Sequence, residues 1–192
     1  MSKIPSHQND CHGEHEFTLV LSGTEALSQA QEDALFEAGC DDATISLRNG
    51  RIYLAFIRPA ASLFEAILSA IVDIQRADIG MEVLRVDHCD LVTIPDIARL
   101  IGRSRQCVHQ YINGERGPGG FPPPECELSE GKFLYRWCDV ANWLLSNDMI
   151  AESELKNAVA IEIINNHLAL QRQRRDNPDY ANELVRCIPC GN

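Results

Sequence analysis

The chain has 192 residues, 45% of them apolar, and its 28 acidic against 17 basic side chains give a formal charge of −11. That length exceeds the roughly 100 to 150 residues of one ordinary domain, so two small domains, each with its own core, are expected. No run approaches the ~18 apolar residues of a membrane span and residues 1–7 lack the apolar stretch of a secretory signal, so a cytoplasmic protein without membrane contact is expected.

Residues 1–14 are polar and read as a flexible N-terminus. His7, Cys11, His12 and His15 have zinc-like spacing, but a mobile polar segment does not preform a site, and no metal is expected there. The pattern then predicts a strand over 15–21 and a helix over about 25–38, stopped by Gly39. Strands over 42–48 and 51–57 are joined by Asn49-Gly50, the strongest short hairpin signal. Ser62 and Glu65 form a capping box for a helix whose Leu63, Ala66, Ile67, Ala70, Ile71 and Ile74 recur at helical spacing, and residues 81–86 supply a last strand. Strand, helix, strand, strand, helix, strand describes a ferredoxin-like split βαβ sandwich over 15–88, an α+β domain.

That order names a fold and not an activity. Cys40-Asp41-Asp42 places two carboxylates side by side, as acid–base chemistry would want, although an ordinary polar loop between helix and strand explains them equally well. Arg58 precedes the capped helix, either as an anion ligand at its N-terminus or as a solvated loop residue. Neither feature makes an enzyme, and no cofactor is expected. His88-Cys89 reads as linker.

Residues 93–113 carry the most informative pattern. Thr93 caps a first helix, Pro95 fits its first turn, and Asp96 favours the helix dipole. Ile97, Leu100 and Ile101 form the apolar stripe, Ala98 admits a close crossing, and Gly102 supplies the left-handed residue that ends the helix. Ser104 caps a second helix, with Val108 and Ile112 inward and Arg105, Gln106, His109 and Gln110 on the other face, where a recognition helix needs base-contacting side chains. Residues 117–124, a turn at Glu130-Gly131 and residues 132–137 then read as a β-wing. A helix over 139–145 follows, packed through Val140, Trp143 and Leu144. Phe121, Trp137 and Trp143 are expected in the core.

Residues 91–146 resemble the winged helix-turn-helix DNA-binding domains of the excisionase and mercury-regulator (MerR) type, AlpA-like phage regulators included. The resemblance rests on Ala98, Gly102, Ser104, Val108, the Gly120-Phe121-Pro122 run and Arg136-Trp137 with Asp139-Val140, and it covers under a third of the chain. It implies that the helix from Ser104 enters the major groove while the wing touches backbone or minor groove. Base contacts are then expected from Arg105, Gln106, His109 and Gln110. Thr93, Arg103, Ser104, Tyr111, Arg116, Lys132 and Arg136 are expected on the DNA backbone or in the wing. Cys107 and Tyr111 depart from the polar pattern; Cys107 is assigned to packing and Tyr111 to a phosphate.

Binding to phosphate is driven by counterion release at basic patches, which the charge of −11 opposes. Distribution eases the conflict: residues 1–90 hold 6 basic and 15 acidic side chains, residues 91–143 hold 6 and 6, and residues 144–192 hold 5 and 7. A neutral module gives weak nonspecific affinity, so a dimer with sequence-selective, salt-sensitive binding is expected.

Residues 151–175 predict one long helix, apolar over more than half its circumference, within a C-terminal dimerisation segment at 150–186. Its basic end, residues 171–175, suits the negative helix terminus. Asn177-Pro178 breaks it before a short amphipathic piece over 180–186 and a tail over 187–192. Cys187 and Cys190 form half of a metal or redox pair and are read as free thiols; most of the eight cysteines are expected buried and reduced. The functional expectation is a bacterial or phage sequence-specific regulator that binds double-stranded DNA as a homodimer. The alternative is an antitoxin- or immunity-type adaptor whose acidic N-terminal domain binds a basic protein partner.

Overall fold

A computed structural model describes residues 13–23 and 25–188. The protein is of the α+β class, and by its contacts the chain divides into two compact units: residues 1–87 with 168–192, and residues 88–167. The unit boundary falls inside a helix at 167/168, so the C-terminal segment expected as separate from residue 150 onward is shared between the units.

The first unit contains β1 (Gly13–Leu21), α1 (Gln29–Glu37), β2 (Ala43–Arg48), β3 (Arg51–Ala60), α2 (Leu63–Ala77) and β4 (Val83–Val86). Its sheet has the order β2-β3-β1-β4 with every neighbouring pair antiparallel, the topology expected of a split βαβ sandwich. Arg48 pairs with Arg51 across a turn in which Asn49 and Gly50 have φ of 49° and 69°, the left-handed backbone that matches the twist of a two-residue hairpin. Leu19, Leu21, Ile52, Leu54 and Phe56 are at most 1% exposed, and the six apolar residues expected on α2 are all buried. Each such side chain stabilises the fold by about 1.5–3 kcal/mol.

α1 begins four residues later than expected. Ser28 accepts from the Gln31 N–H while the Gln31 side chain accepts from the Ser28 N–H, a reciprocal cap that outweighs the helical pattern of residues 25–27. At α2 only the forward half of the expected box forms, with the Glu65 N–H donating to Ser62 Oγ at 3.2 Å.

Arg58 is neither an anion ligand nor a solvated loop residue. It is 8% exposed, and its guanidinium donates through Nε and Nη2 to the two oxygens of Asp42 at 2.7 and 2.8 Å. Nη1 donates to Asp73 at 2.8 Å and to Ser69 Oγ at 3.1 Å, Nη2 also reaches the Gly39 carbonyl at 2.8 Å, and the group lies over the Phe56 ring. All five guanidinium hydrogens are thus used inside the protein. Both oxygens of Asp42 are committed to this clamp, whereas Asp41 takes no part in it. Burial pushes the Cys40 thiol up to about 11, so it stays protonated.

The second unit holds β5 (Leu91–Val92), α3 (Ile94–Leu100), α4 (Arg105–Ile112), β6 (Cys126–Ser129), β7 (Lys132–Arg136), α5 (Trp137–Leu145) and the first part of α6 (Glu152–Asp176). Helix, turn, helix, β-hairpin and helix follow in the expected order. The two-residue β5 was not anticipated; it pairs with β7 through Leu91↔Arg136 and Val92↔Tyr135, completing a sheet of order β5-β7-β6. Val92, Ile97, Val108, Tyr135, Val140 and Leu144 form the core, with Trp137 and Trp143 buried at its margin and Phe121 half-buried against it.

α7 (Pro178–Cys187) buries none of its residues, and α6 leaves Val159, Ile163 and Leu170 exposed on the side away from its buried Ala158, Ile161 and Ile164. Arg175, in the basic end of α6, is ion-paired with Glu82. Among the described residues no helix is long and apolar enough to cross a membrane.

Candidate nucleic-acid interface

The turn between α3 and α4 is built from local chemistry. The Thr93 hydroxyl accepts from the Asp96 N–H and donates to its carboxylate, which also accepts from the Thr93 N–H. α3 ends in a Schellman closure: the Arg103 N–H reaches the Ala98 carbonyl at 2.8 Å and the Gly102 N–H reaches Arg99 at 3.3 Å, with Gly102 at φ +62°. Ser104 then caps α4 through the Cys107 N–H at 3.2 Å. α4 closes the same way, Glu115 N–H to the Gln110 carbonyl and Gly114 N–H to Tyr111, and the Arg116 N–H shares the Gln110 carbonyl at 3.1 Å. The backbone at 103 and at 116 is therefore fixed at opposite ends of one short helix.

α4 turns Cys107, Val108 and Tyr111 into the core, as expected for Cys107 and contrary to expectation for Tyr111. Tyr111 is 5% exposed, its ring 5.4 Å from that of Trp143, and a hydrogen bond with Cys107 together with burial raises its pKa. Arg116 and Arg103 both oppose that rise. Tyr111 is thus a packing residue and leaves the set assigned to phosphate.

Arg105, Gln106 and His109 are exposed along the opposite face and Gln110 is half-buried beside them. Arg103, Ser104 and Arg116 are exposed too, and the Ser104 hydroxyl, which serves the cap only as an acceptor, keeps its own proton to donate. Among the described residues Arg103, Arg105 and Arg116 enter no ion pair, as is also true of Arg48, Arg51, Arg172 and Arg174, whereas Arg58, Arg76, Arg85, Arg99, Arg136, Arg175 and Arg186 are paired.

Three other expected backbone contacts are differently engaged. Thr93 spends its hydroxyl proton on Asp96 and has none for a phosphate. Arg136 donates to Glu162, with Nε at 2.7 Å, and its pKa rises from that bond and charge. Lys132 is exposed but shares its hairpin with exposed Glu125, Glu127 and Glu130, so the wing is acidic. Its geometry is set instead by the Glu127 carboxylate, which accepts from the Gly131 N–H at 2.8 Å.

Sequence reasoning missed what lies under Arg136. Glu162 and Asn165 of α6 are buried, the Asn165 amide donates to the His88 carbonyl at 3.4 Å, and the Trp137 N–H donates to the Asp90 carbonyl at 2.8 Å. Burial raises the Asp90 pKa, and burial followed by a hydrogen bond to Glu162 pushes the Cys138 thiol up to about 12. His88 and Asp90, on either side of the exposed Cys89, are therefore tied by backbone carbonyls into their unit instead of forming a free linker. The local signal was Glu162 and Asn165 on a helix flank that otherwise reads apolar. The 117–120 loop is likewise structural: Trp143 Nε1 donates to the Gly119 carbonyl at 2.9 Å, and Phe121 packs edge-on to Trp143 and Tyr135.

The metal-like spacings acquire no support. His7, Cys11, His12 and Cys190 lie outside the described residues, and the His15 ring contacts the Ala60 carbonyl at 3.2 Å. Among the described residues no group of three His, Cys, Asp or Glu is disposed to hold a metal. Of the six described cysteines only Cys40 and Cys107 are buried; Cys138 is half-buried, and Cys89, Cys126 and Cys187 are exposed, against the expectation of mostly buried thiols. Comparison with known proteins finds no matching family model, no matching curated protein and no matching solved structure.

Proposed function

We propose that the protein is a sequence-specific regulator that binds double-stranded DNA, of the winged helix-turn-helix kind, acting in a bacterial or phage-infected cytoplasm without catalysis of its own. The single observation that carries this reading is the unneutralised polar face of α4. In a chain with 28 acidic side chains, three arginines on and beside one helix face have no carboxylate partner among the described residues. Exposed Arg and Gln on such a face match the donor and acceptor pattern of major-groove base edges. Arg105, Gln106, His109 and Gln110 then contact bases, and Arg103, Ser104 and Arg116 hold phosphates on either side. The acidic hairpin contributes shape more than charge. The exposed Val159 and Ile163, one turn apart on α6, suit pairing with a second copy.

Replacing Arg105 by Ala tests the assignment. It is expected to lose roughly 1–3 kcal/mol of specific affinity and to relax selectivity at one base position, with an unchanged circular dichroism spectrum. Affinity and footprint equal to wild type would remove Arg105, and with it the base-reading role of α4.

A further inference from the structure

A second surface, independent of α4, lies in the first unit. β2 stands at the end of the sheet order, with no strand outside it among the described residues. Ile45 and Leu47 are paired with Leu54 and Ile52, which are 0% and 1% exposed, yet they are themselves 37% and 49% exposed. Phe36 of α1 is 66% exposed and lines one groove with Ile45. Between α1 and β2 runs a groove of about 260 Å³ whose floor includes Leu35 and Leu54 and whose rim carries Glu32, Asp33 and Asp41. Its far end is rigid, because Arg58 ties the Gly39 carbonyl and Asp42 to α2 and β3.

Edge strands are ordinarily blunted by inward charges, proline, bulges or cover. β2 has none of these along its middle: its residues run Ala43-Thr-Ile-Ser-Leu-Arg48 with the sole charge at the end. The charges lie across the groove, and they are all acidic. We propose that this groove receives an extended, basic segment of another protein, which pairs with the outer edge of β2 and turns every second side chain to the α1 side, apolar ones against Phe36, Ile45 and Leu47 and, at neighbouring positions of that same face, Lys or Arg toward Glu32, Asp33 and Asp41. A second copy of this chain would bring the same carboxylates to the seam, and a nucleic acid would bring phosphates. Both meet repulsion that a basic peptide does not. The assignment does not depend on whether α4 binds DNA.

The probe is a labelled strand-length peptide whose every second residue is in turn lysine and valine, with threonine between them, so that one face carries both; it is titrated by fluorescence anisotropy against the full chain. The same peptide with glutamate in place of lysine, or with serine in place of valine, serves as control. The lysine–valine peptide is expected to bind about tenfold or more tightly than either control, and to weaken at high salt. The Phe36→Ser, Ile45→Thr double variant alters only exposed side chains and is expected to abolish binding. Asp33→Lys with Asp41→Lys is expected to shift preference toward the glutamate–valine peptide. Amide resonances of residues 43–48 should move on binding. Absent binding, equal binding of the glutamate peptide, or binding untouched by both variants would overturn the proposal. So would self-association of the chain that Ile45→Thr abolishes.

Discussion

Arg58 is the residue on which the first unit turns. A buried guanidinium that satisfies all its donors gains specificity more than net stability, but removing it strands its partners. Asp42 and Asp73 keep 24% and 18% of their side chains exposed, so water screens part of the penalty. Arg58→Met is expected to cost about 3 kcal/mol in urea unfolding, and further neutralisation with Asp42→Asn and Asp73→Asn to recover most of it. A single variant as stable as wild type would show that the clamp is dispensable. The sequence displayed Arg58 and the acid pair but not their meeting, since the partners are 16 and 15 residues away and join only when strand and helices assemble.

Two carboxylates of the second unit respond to pH with opposite sign. The Thr93 hydroxyl, then its N–H, holds Asp96 below the usual aspartate range. Folding therefore favours the ionised form, and the cap's contribution is present above about pH 3.9 and lost as pH falls through the depressed folded value. Asp90 is raised by burial, so its contribution is present at low pH and lost as pH rises through its folded value. Asp96→Asn is expected to flatten the acid-side fall of the urea midpoint, and Asp90→Asn to stabilise near neutrality. The reverse pair of results would contradict these assignments.

At the scale of elements, both hairpins and the long helices were legible because their signals are local: Asn49-Gly50, Glu130-Gly131, and the apolar repeats of α2 and α6. α1 was set too early because acidic and apolar residues at 25–27 extend a helical pattern past the Ser28 cap. β5 is too short to carry a period and exists through pairing with β7. On α4 the local pattern placed Arg105, Gln106 and His109 correctly at the surface. Tyr111 went astray because its burial depends on Trp143, 32 positions later in the chain, and Arg136 because Glu162 is 26 residues away. The α3–α4 turn offers a clean test. A Cβ at Gly102 would meet nothing within 4 Å, so Gly102→Ala isolates the backbone cost of a left-handed residue, expected at about 1 kcal/mol. No loss of stability would mean that the Schellman closure is not needed for the turn.

For the whole molecule, charge is the governing quantity. An acidic chain repels duplex DNA at long range, so any binding through α4 depends on close base contacts and on doubling the contact through a second copy. Val159→Glu with Ile163→Glu is expected to give a monomer by light scattering and to weaken operator binding by an order of magnitude or more, as for a lost half-site. A persistent dimer would move the interface to another exposed apolar face, such as that of α7.

The most direct measurement is selection of bound sites from random duplex DNA by the purified protein at low and at moderate salt. The account predicts enrichment of inverted half-sites whose centres lie about one helical turn apart, retained in register but weakened at higher salt, and lost with Arg105→Ala. No enrichment at low salt, or the same motif from a protein lacking the Arg105, Gln106 and His109 side chains, would contradict it.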